Sequence, residues 1–197
     1  TTDGTIDKNR NDKLGIAYTI MQAKDETLYI GTKGNGLFAL QQTSTPQKYK
    51  LVHYHVNPHD KYSLNSNEIY SLYEDRYRNI WIATFQKGVN ILVKSPGSEP
   101  RFINTQNDLL NYPVENCYRS RQIAASPKGD IWVGTSNGLL KCEGDIRDFR
   151  KLKFKSFTNI PGDTTSLSNN SIHNICFTKA GKMFVSTFGG GLNEVTP

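Results

Sequence analysis

The sequence predicts an all-β fold made of four copies of one unit, and three observations carry that expectation. One motif recurs at an even spacing, its surroundings are rich in strand-forming residues, and no window of a dozen residues shows the apolar stripe of a helix. The motif is an aromatic residue, then Ile or Val, then a small residue, then Thr. It reads Tyr29-Ile30-Gly31-Thr32, Trp81-Ile82-Ala83-Thr84, Trp132-Val133-Gly134-Thr135 and Phe184-Val185-Ser186-Thr187. The aromatic residues stand 52, 51 and 52 positions apart. Chance does not hold such a period.

Other columns keep the same register. An apolar column, Ile20, Leu72, Ile123 and Ile175, precedes each motif across a polar turn. Three or four residues past each Thr comes Gly with Leu or Val: Gly36-Leu37, Gly88-Val89, Gly138-Leu139 and Gly191-Leu192. Ser63-Leu64-Asn65-Ser66-Asn67 returns two periods later as Ser166-Leu167-Ser168-Asn169-Asn170. Short β-branched and aromatic runs bounded by turn residues read as strands. They are expected at 16–22, 28–32, 36–40 and 49–55 in the first unit, and at 68–74, 80–84, 88–93 and 101–104 in the second. The third gives 119–125, 131–135, 138–142 and 152–158, and the fourth 171–177, 183–187 and 191–195.

Units of four antiparallel strands and about 50 residues are the blades of a β-propeller. A β-sandwich would not bring the same columns back. The expected division is a lead-in at 1–14, blade 1 at 15–66, blade 2 at 67–117, blade 3 at 118–169 and an incomplete blade 4 at 170–197 that lacks its outer strand. Residues 1–14 supply only a weak strand to replace it. The expectation is a piece of a larger propeller, with a self-closed four-bladed disc as the alternative. The first residue is Thr rather than Met, which reads as part of a longer protein.

Composition excludes other classes. The 197 residues include 10 Tyr, 9 Phe and 2 Trp, too many aromatics for a disordered chain. No apolar run is long enough for a membrane span or a signal-peptide core, so this segment is expected to make no membrane contact. Cys117, Cys142 and Cys176 form no C-x-x-C pair, which argues against a disulfide framework or a zinc site.

The run Ile69-Tyr70-Ser71-Leu72-Tyr73-Glu74-Asp75, followed by Asn79-Ile80-Trp81-Ile82-Ala83-Thr84 and Gly88-Val89, resembles the two-component regulator propeller repeat. So does the stretch from Ser120 to Leu139, and Tyr62 to Asn67 is similar to that family's loop into each inner strand. Tyr29 and Phe184 depart from the family's Trp, and Phe85-Gln86-Lys87 interrupts the small-residue turn of the second unit. The resemblance implies a sevenfold propeller in the periplasmic sensor region of a hybrid histidine kinase of the kind common in gut Bacteroidetes. It implies an oligosaccharide as the ligand, signalling to a kinase elsewhere in the parent chain, and the remaining blades of the parent propeller as partners.

The residues themselves give little sign of catalysis, and no catalytic residue, cofactor or metal is expected. No nucleophile elbow, zinc-binding helix motif or phosphate loop is present. Glu74 and Asp75 are adjacent and face opposite ways on a strand, so they cannot flank a glycosidic bond. His53 and His55 share one face of an outer strand but have no third ligand at metal spacing. Lys48, Lys50, Arg147, Arg150, Lys151, Lys153 and Lys155 sit around the outer strands, where lysine also protects an edge from pairing. They are read as edge protection, not as a nucleic-acid surface. The formal net charge of +6 would also suit an acidic glycan.

One column varies while its neighbours stay fixed. Two positions before the constant apolar residue stand Tyr18, Tyr70, Arg121 and His173. Inner strands of a propeller surround its axis, so these residues are expected to ring an axial mouth. Asn35, Phe85, Gln86, Lys87, Asn137 and Phe188 are expected on its rim. Aromatic faces with hydrogen-bonding groups suit a sugar. Tyr29, Trp81, Trp132 and Phe184 are assigned to the core. The rival readings are a protein-interaction scaffold, which includes homodimer formation, and a carbohydrate-active enzyme.

Overall fold

The computed structural model describes residues 14–45, 48–95 and 97–196. The expected lead-in falls outside the described residues apart from Leu14. The first sheet contains β1 (Ala17–Gln22), β2 (Leu28–Thr32), β3 (Leu37–Gln42) and β4 (Tyr49–Tyr54) in that spatial order. The second runs β5 (Ile69–Glu74), β6 (Ile80–Thr84), β7 (Gly88–Val93) and β8 (Arg101–Ile103). The third runs β9 (Ser120–Ala125), β10 (Ile131–Thr135), β11 (Gly138–Glu143) and β12 (Lys153–Phe157). The fourth holds β13 (Ile172–Phe177), β14 (Met183–Thr187) and β15 (Gly191–Val195). Every pairing is antiparallel between chain neighbours. These sheets are propeller blades.

Among the described residues, α1 (Val114–Cys117) and a 3-10 turn at Phe149–Lys151 correct the expectation of no helix. Each is a single turn, too short to display an apolar stripe.

The repeat motif has a physical reading at each position. The Thr hydroxyl donates to the carbonyl of the following Gly, at 2.8 Å from Thr32 to Gly36, 2.8 Å from Thr84 to Gly88 and 2.7 Å from Thr135 to Gly138. These glycines have φ of +76°, +75° and +110°, which closes the turn in a conformation that a side chain resists. The small residue lies where the next blade approaches. A Cβ on Gly31 would come within 2.5 Å of Ile69 Cγ2, and one on Gly134 within 2.6 Å of Ile172 Cγ2.

The core lies between blades. The inner strands stand side by side in the order β1, β5, β9, β13. Tyr29 packs among Ile69, Leu72 and Ile82 of the following unit and Leu64 of the loop that leads into it. Trp81 does the same with Ile123, Ile131 and Val133, and Trp132 with Ile172, Ile175 and Val185. Tyr29, Trp81 and Trp132 are buried, whereas Phe184 is only half-buried, a correction to its assignment as core. No following blade is present among the described residues to cover it.

The Ser-Asn loop clasps the chain just past β4 and just past β12 by the same set of bonds. Asn67 Oδ1 accepts from Val56 N at 2.9 Å and Asn170 Oδ1 from Asn159 N at 2.6 Å. Ser63 Oγ accepts from Asn57 N at 3.0 Å, and Ser166 Oγ from Ile160 N at 2.9 Å.

Candidate ligand site at the inner strands

The four variable residues share an unusual backbone position. In each inner strand the ladder register slips by one residue, between Ala17 and Thr19, Ile69 and Ser71, Ser120 and Gln122, and Ile172 and Asn174. The residues left unpaired are Tyr18, Tyr70, Arg121 and His173. A β-bulge of this kind re-aims the side chain it carries and is common beside binding sites.

The turn between the second and third strands of each blade folds back onto the start of its own inner strand. Lys33 N donates to Ile16 O, Phe85 N to Glu68 O, Ser136 N to Arg119 O and Phe188 N to Ser171 O. A second row of residues, Lys33, Phe85, Ser136 and Phe188, is thereby set beside Tyr18, Tyr70, Arg121 and His173.

The structure brings several of these together. The Tyr18 and Tyr70 rings lie 4.7 Å apart, and Tyr70 stacks on Phe85 at 4.9 Å. Arg121 lies 5.4 Å from the Phe85 ring centroid, and Arg119 5.1 Å from it. Arg121 Nε is buried with no hydrogen-bond partner among the described residues. Burial first, and then the Tyr18 hydroxyl, hold the Tyr70 phenol above its ordinary pKa, while Arg121 pulls the other way.

Beside this cluster is a cavity of about 490 Å³ lined by Lys33, Glu68, Tyr70, Phe85, Gln86, Lys87, Tyr118 and Arg119. Glu68 accepts from Gln86 Nε2 at 3.0 Å. Lys33, Lys87, Arg119 and nearby Arg121 outnumber that carboxylate, so an acidic group is favoured there.

The remaining expected residues lie apart from this cavity. His173 stacks on Phe188 at 5.8 Å as a separate pair. Asn35 is bound into its own turn, its N–H donating to Thr32 Oγ1 at 3.0 Å, and its carbonyl faces His53 Nε2 at 2.6 Å. Asn137 is exposed, its backbone N–H bonded to Thr135 Oγ1. Sequence reasoning missed Lys33, Glu68, Tyr118 and Arg119. Glu68 and Arg119 stand directly before β5 and β9, in a column that varies as freely as the one selected.

Other candidate groups have structural occupations. Asp75 is buried and accepts from Tyr77 N, Asn79 N, Asn79 Nδ2 and Trp81 Nε1 at 2.8 to 3.0 Å. Of the outer-strand cations, Arg147, Arg150 and Lys151 pair with Asp145, Asp108 and Asp148. Among the described residues, no three or more His, Cys, Asp or Glu gather as a metal site. No described helix is long and apolar enough to cross a membrane.

Residues 63–86 match the model of the two-component regulator propeller family. This one segment is similar to a two-component regulator propeller repeat. No curated protein shows a significant match. Three solved structures resemble the chain in fold. One, described as the extracellular domain of hybrid two-component system BT4673 from B. thetaiotaomicron, aligns with a TM-score of 0.67 at 24% identity, over 96% of this chain and 22% of that chain. The corresponding domain of BT3049 from the same organism gives 0.62 at 24% identity, over 91% and 23%. PorZ of Porphyromonas gingivalis, a surface component of the type-IX secretion system, gives 0.66 at 16% identity, over 91% and 26%. The propeller segment thus spans about a quarter of the length of the structures it resembles.

Proposed function

We propose that this segment is the non-catalytic, ligand-reading part of a periplasmic two-component sensor, and that it binds an acidic oligosaccharide at the bulged ends of its inner strands. The kinase that receives the signal and the remaining blades belong to the parent chain. One observation carries the reading: the same bulge recurs in all four inner strands, and the side chains it releases are two tyrosines, an arginine and a histidine. A position needed only for packing would repeat its residue as the aromatic and small-residue columns do. A ligand site must instead be asymmetric. Tyr70 and Phe85 offer faces to a sugar ring, and Arg121 sets a guanidinium beside Phe85 as a positive partner for a carboxylate or sulfate.

The test is calorimetric titration with neutral, uronic-acid and sulfated oligosaccharides against wild type, Arg121→Ala and Tyr70→Ala. An acid-bearing ligand is expected to bind about tenfold more weakly to each variant, near 1.4 kcal/mol. Neutral ligands should be affected by Tyr70→Ala more than by Arg121→Ala. Wild-type affinity in both variants for a ligand that does bind removes this site.

A further inference from the structure

One acidic side chain, Glu68, lines the cavity beside Tyr70, among the cations of Lys33, Lys87 and Arg119. Its backbone does what its counterparts do in every blade. The carbonyls of Ile16, Glu68, Arg119 and Ser171 each accept from the turn between the second and third strands of their own blade. Apolar, acidic, basic and hydroxyl side chains all serve at this position, so the backbone bond makes no demand for a carboxylate. Ion pairing makes none either. Among the described residues no Lys or Arg pairs with Glu68, although it stands opposite Lys33 across an antiparallel bridge. The partner of the carboxylate is a neutral amide: Gln86 Nε2 donates to Glu68 Oε2 at 3.0 Å. Among the described residues, nothing donates to the second oxygen, Oε1.

The consequence is electrostatic. In a cavity that only collects anions, a half-buried carboxylate weakens the attraction the cations create. An ionised carboxylate accepts hydrogen bonds and never donates them, so what it can hold is a donor. The donor that a sugar carries in number is hydroxyl. The Gln86 amide steadies one carboxylate oxygen and leaves the other for that purpose.

We propose that Glu68 is a specificity-determining residue of this cavity: it accepts hydroxyls of the ligand and repels a densely charged oxyanion, which selects a uronic-acid sugar over a sulfated one. Glu68 does so as part of the glycan site proposed above, on which its role rests. The cations then meet a single carboxylate of the sugar, while Glu68 holds hydroxyls through charge-assisted bonds.

Two substitutions at position 68 separate charge from reach. Glu68→Gln keeps the size and an oxygen for Gln86 but removes the charge. Glu68→Asp keeps the charge and withdraws it by one methylene. The first probe is inorganic sulfate, followed by the backbone amide resonances of Phe85, Gln86 and Lys87 against chloride at matched ionic strength. Sulfate should bind Glu68→Gln about threefold more tightly than wild type, because a nearby negative charge is gone. It should bind Glu68→Asp as it binds wild type. The second probe is the pair of uronic-acid and sulfated oligosaccharides, followed by calorimetry. The uronic-acid sugar should bind each variant about threefold more weakly, and the sulfated sugar should gain on it in Glu68→Gln. Sulfate that binds neither wild type nor Glu68→Gln, or binds both alike, overturns the proposal. So does a parallel loss of sulfate and sugar in both variants, which marks a structural role. A uronic-acid sugar that binds wild type and both variants alike overturns the role of Glu68 and leaves the glycan site standing. Wild-type protein that binds sulfate but neither sugar removes the glycan site, and this proposal with it.

Discussion

Ile20 and Leu72 occupy the same position of successive repeats, yet Ile20 is 63% exposed and Leu72 9%. Leu72 is covered by the Tyr29 face of the blade before it, and no described residue covers Ile20 in that way. The opposite end mirrors this: Leu192 is 69% exposed, whereas its counterparts Leu37, Val89 and Leu139 are fully buried. The two ends of the array are the two halves of one apolar junction.

Such complementary halves favour head-to-tail association of the isolated segment. Light scattering is expected to show a mass that rises with concentration. Ile20→Lys with Leu192→Lys should return it to the monomer, since each puts a charge into the seam. A wild-type mass fixed at the monomer value over the whole range would mean that the ends are covered in solution.

The aromatic column should grade by burial. Trp132 is 1% exposed between two blades, so Trp132→Ala should cost about 3–5 kcal/mol in urea unfolding. Phe184, half-buried at the open end, should cost less than half as much. Equal losses would place Phe184 in a junction.

The periodic features were legible in the sequence because each blade meets the same demand. Thr84 and Gly88 recur because one hydrogen-bonded turn needs both, and Gly31 and Gly134 because a neighbouring isoleucine excludes a Cβ. The bulges at Tyr18, Tyr70, Arg121 and His173 are backbone events, and only their side-chain variation showed in the sequence. Arg119 stood in a varying column that was passed over, whereas Tyr118 follows α1, a single turn in a linker that the other blades lack, so no column exposed it. Asp75 read only as a carboxylate facing away from Glu74, because its bond to an indole six residues away depends on how the hairpin closes.

The clasp between Asn65, Asn90 and Asn104 should be sensitive to truncation. Asn90 is fully buried; its Oδ1 accepts from Asn65 N at 3.1 Å and Asn104 Nδ2 at 3.0 Å, and its Nδ2 donates to Asn65 Oδ1 at 2.7 Å. Asn90→Ala leaves these groups without partners, and each buried orphan costs about 1–3 kcal/mol. Asn193 holds the equivalent place in blade 4, accepting from Ser168 N at 2.9 Å where solvent can replace it. Asn193→Ala should cost roughly 1 kcal/mol or less. Chemical denaturation of the two variants side by side checks the ranking.

The pair that ties the first turn of blade 1 to the end of β7 should give stability a defined pH dependence. Burial is the largest influence on Asp25 and pushes it up, but bonds from Lys94 and from Thr27 outweigh it, so its pKa falls below the ordinary 3.8. Burial likewise leads for Lys94 and pushes it down, but Asp25 and Tyr29 outweigh it, and its pKa rises above 10.5. A depressed carboxylate contributes above its unfolded pKa and loses that contribution as pH falls through the folded value. A raised amine contributes below its unfolded pKa and loses that contribution as pH rises through the folded value. The pair is therefore constant across the neutral range, weakens below about pH 4 and weakens again above about pH 10.5. Because the Asp25 side chain is 50% exposed, solvent screening holds the contribution under about 1 kcal/mol. Asp25→Asn should lower stability by that amount at pH 7, and the gap from wild type should close once both side chains are neutral, well below pH 4. A gap of equal size at both pH values would mean that the asparagine disturbs the turn and that the charge contributes nothing.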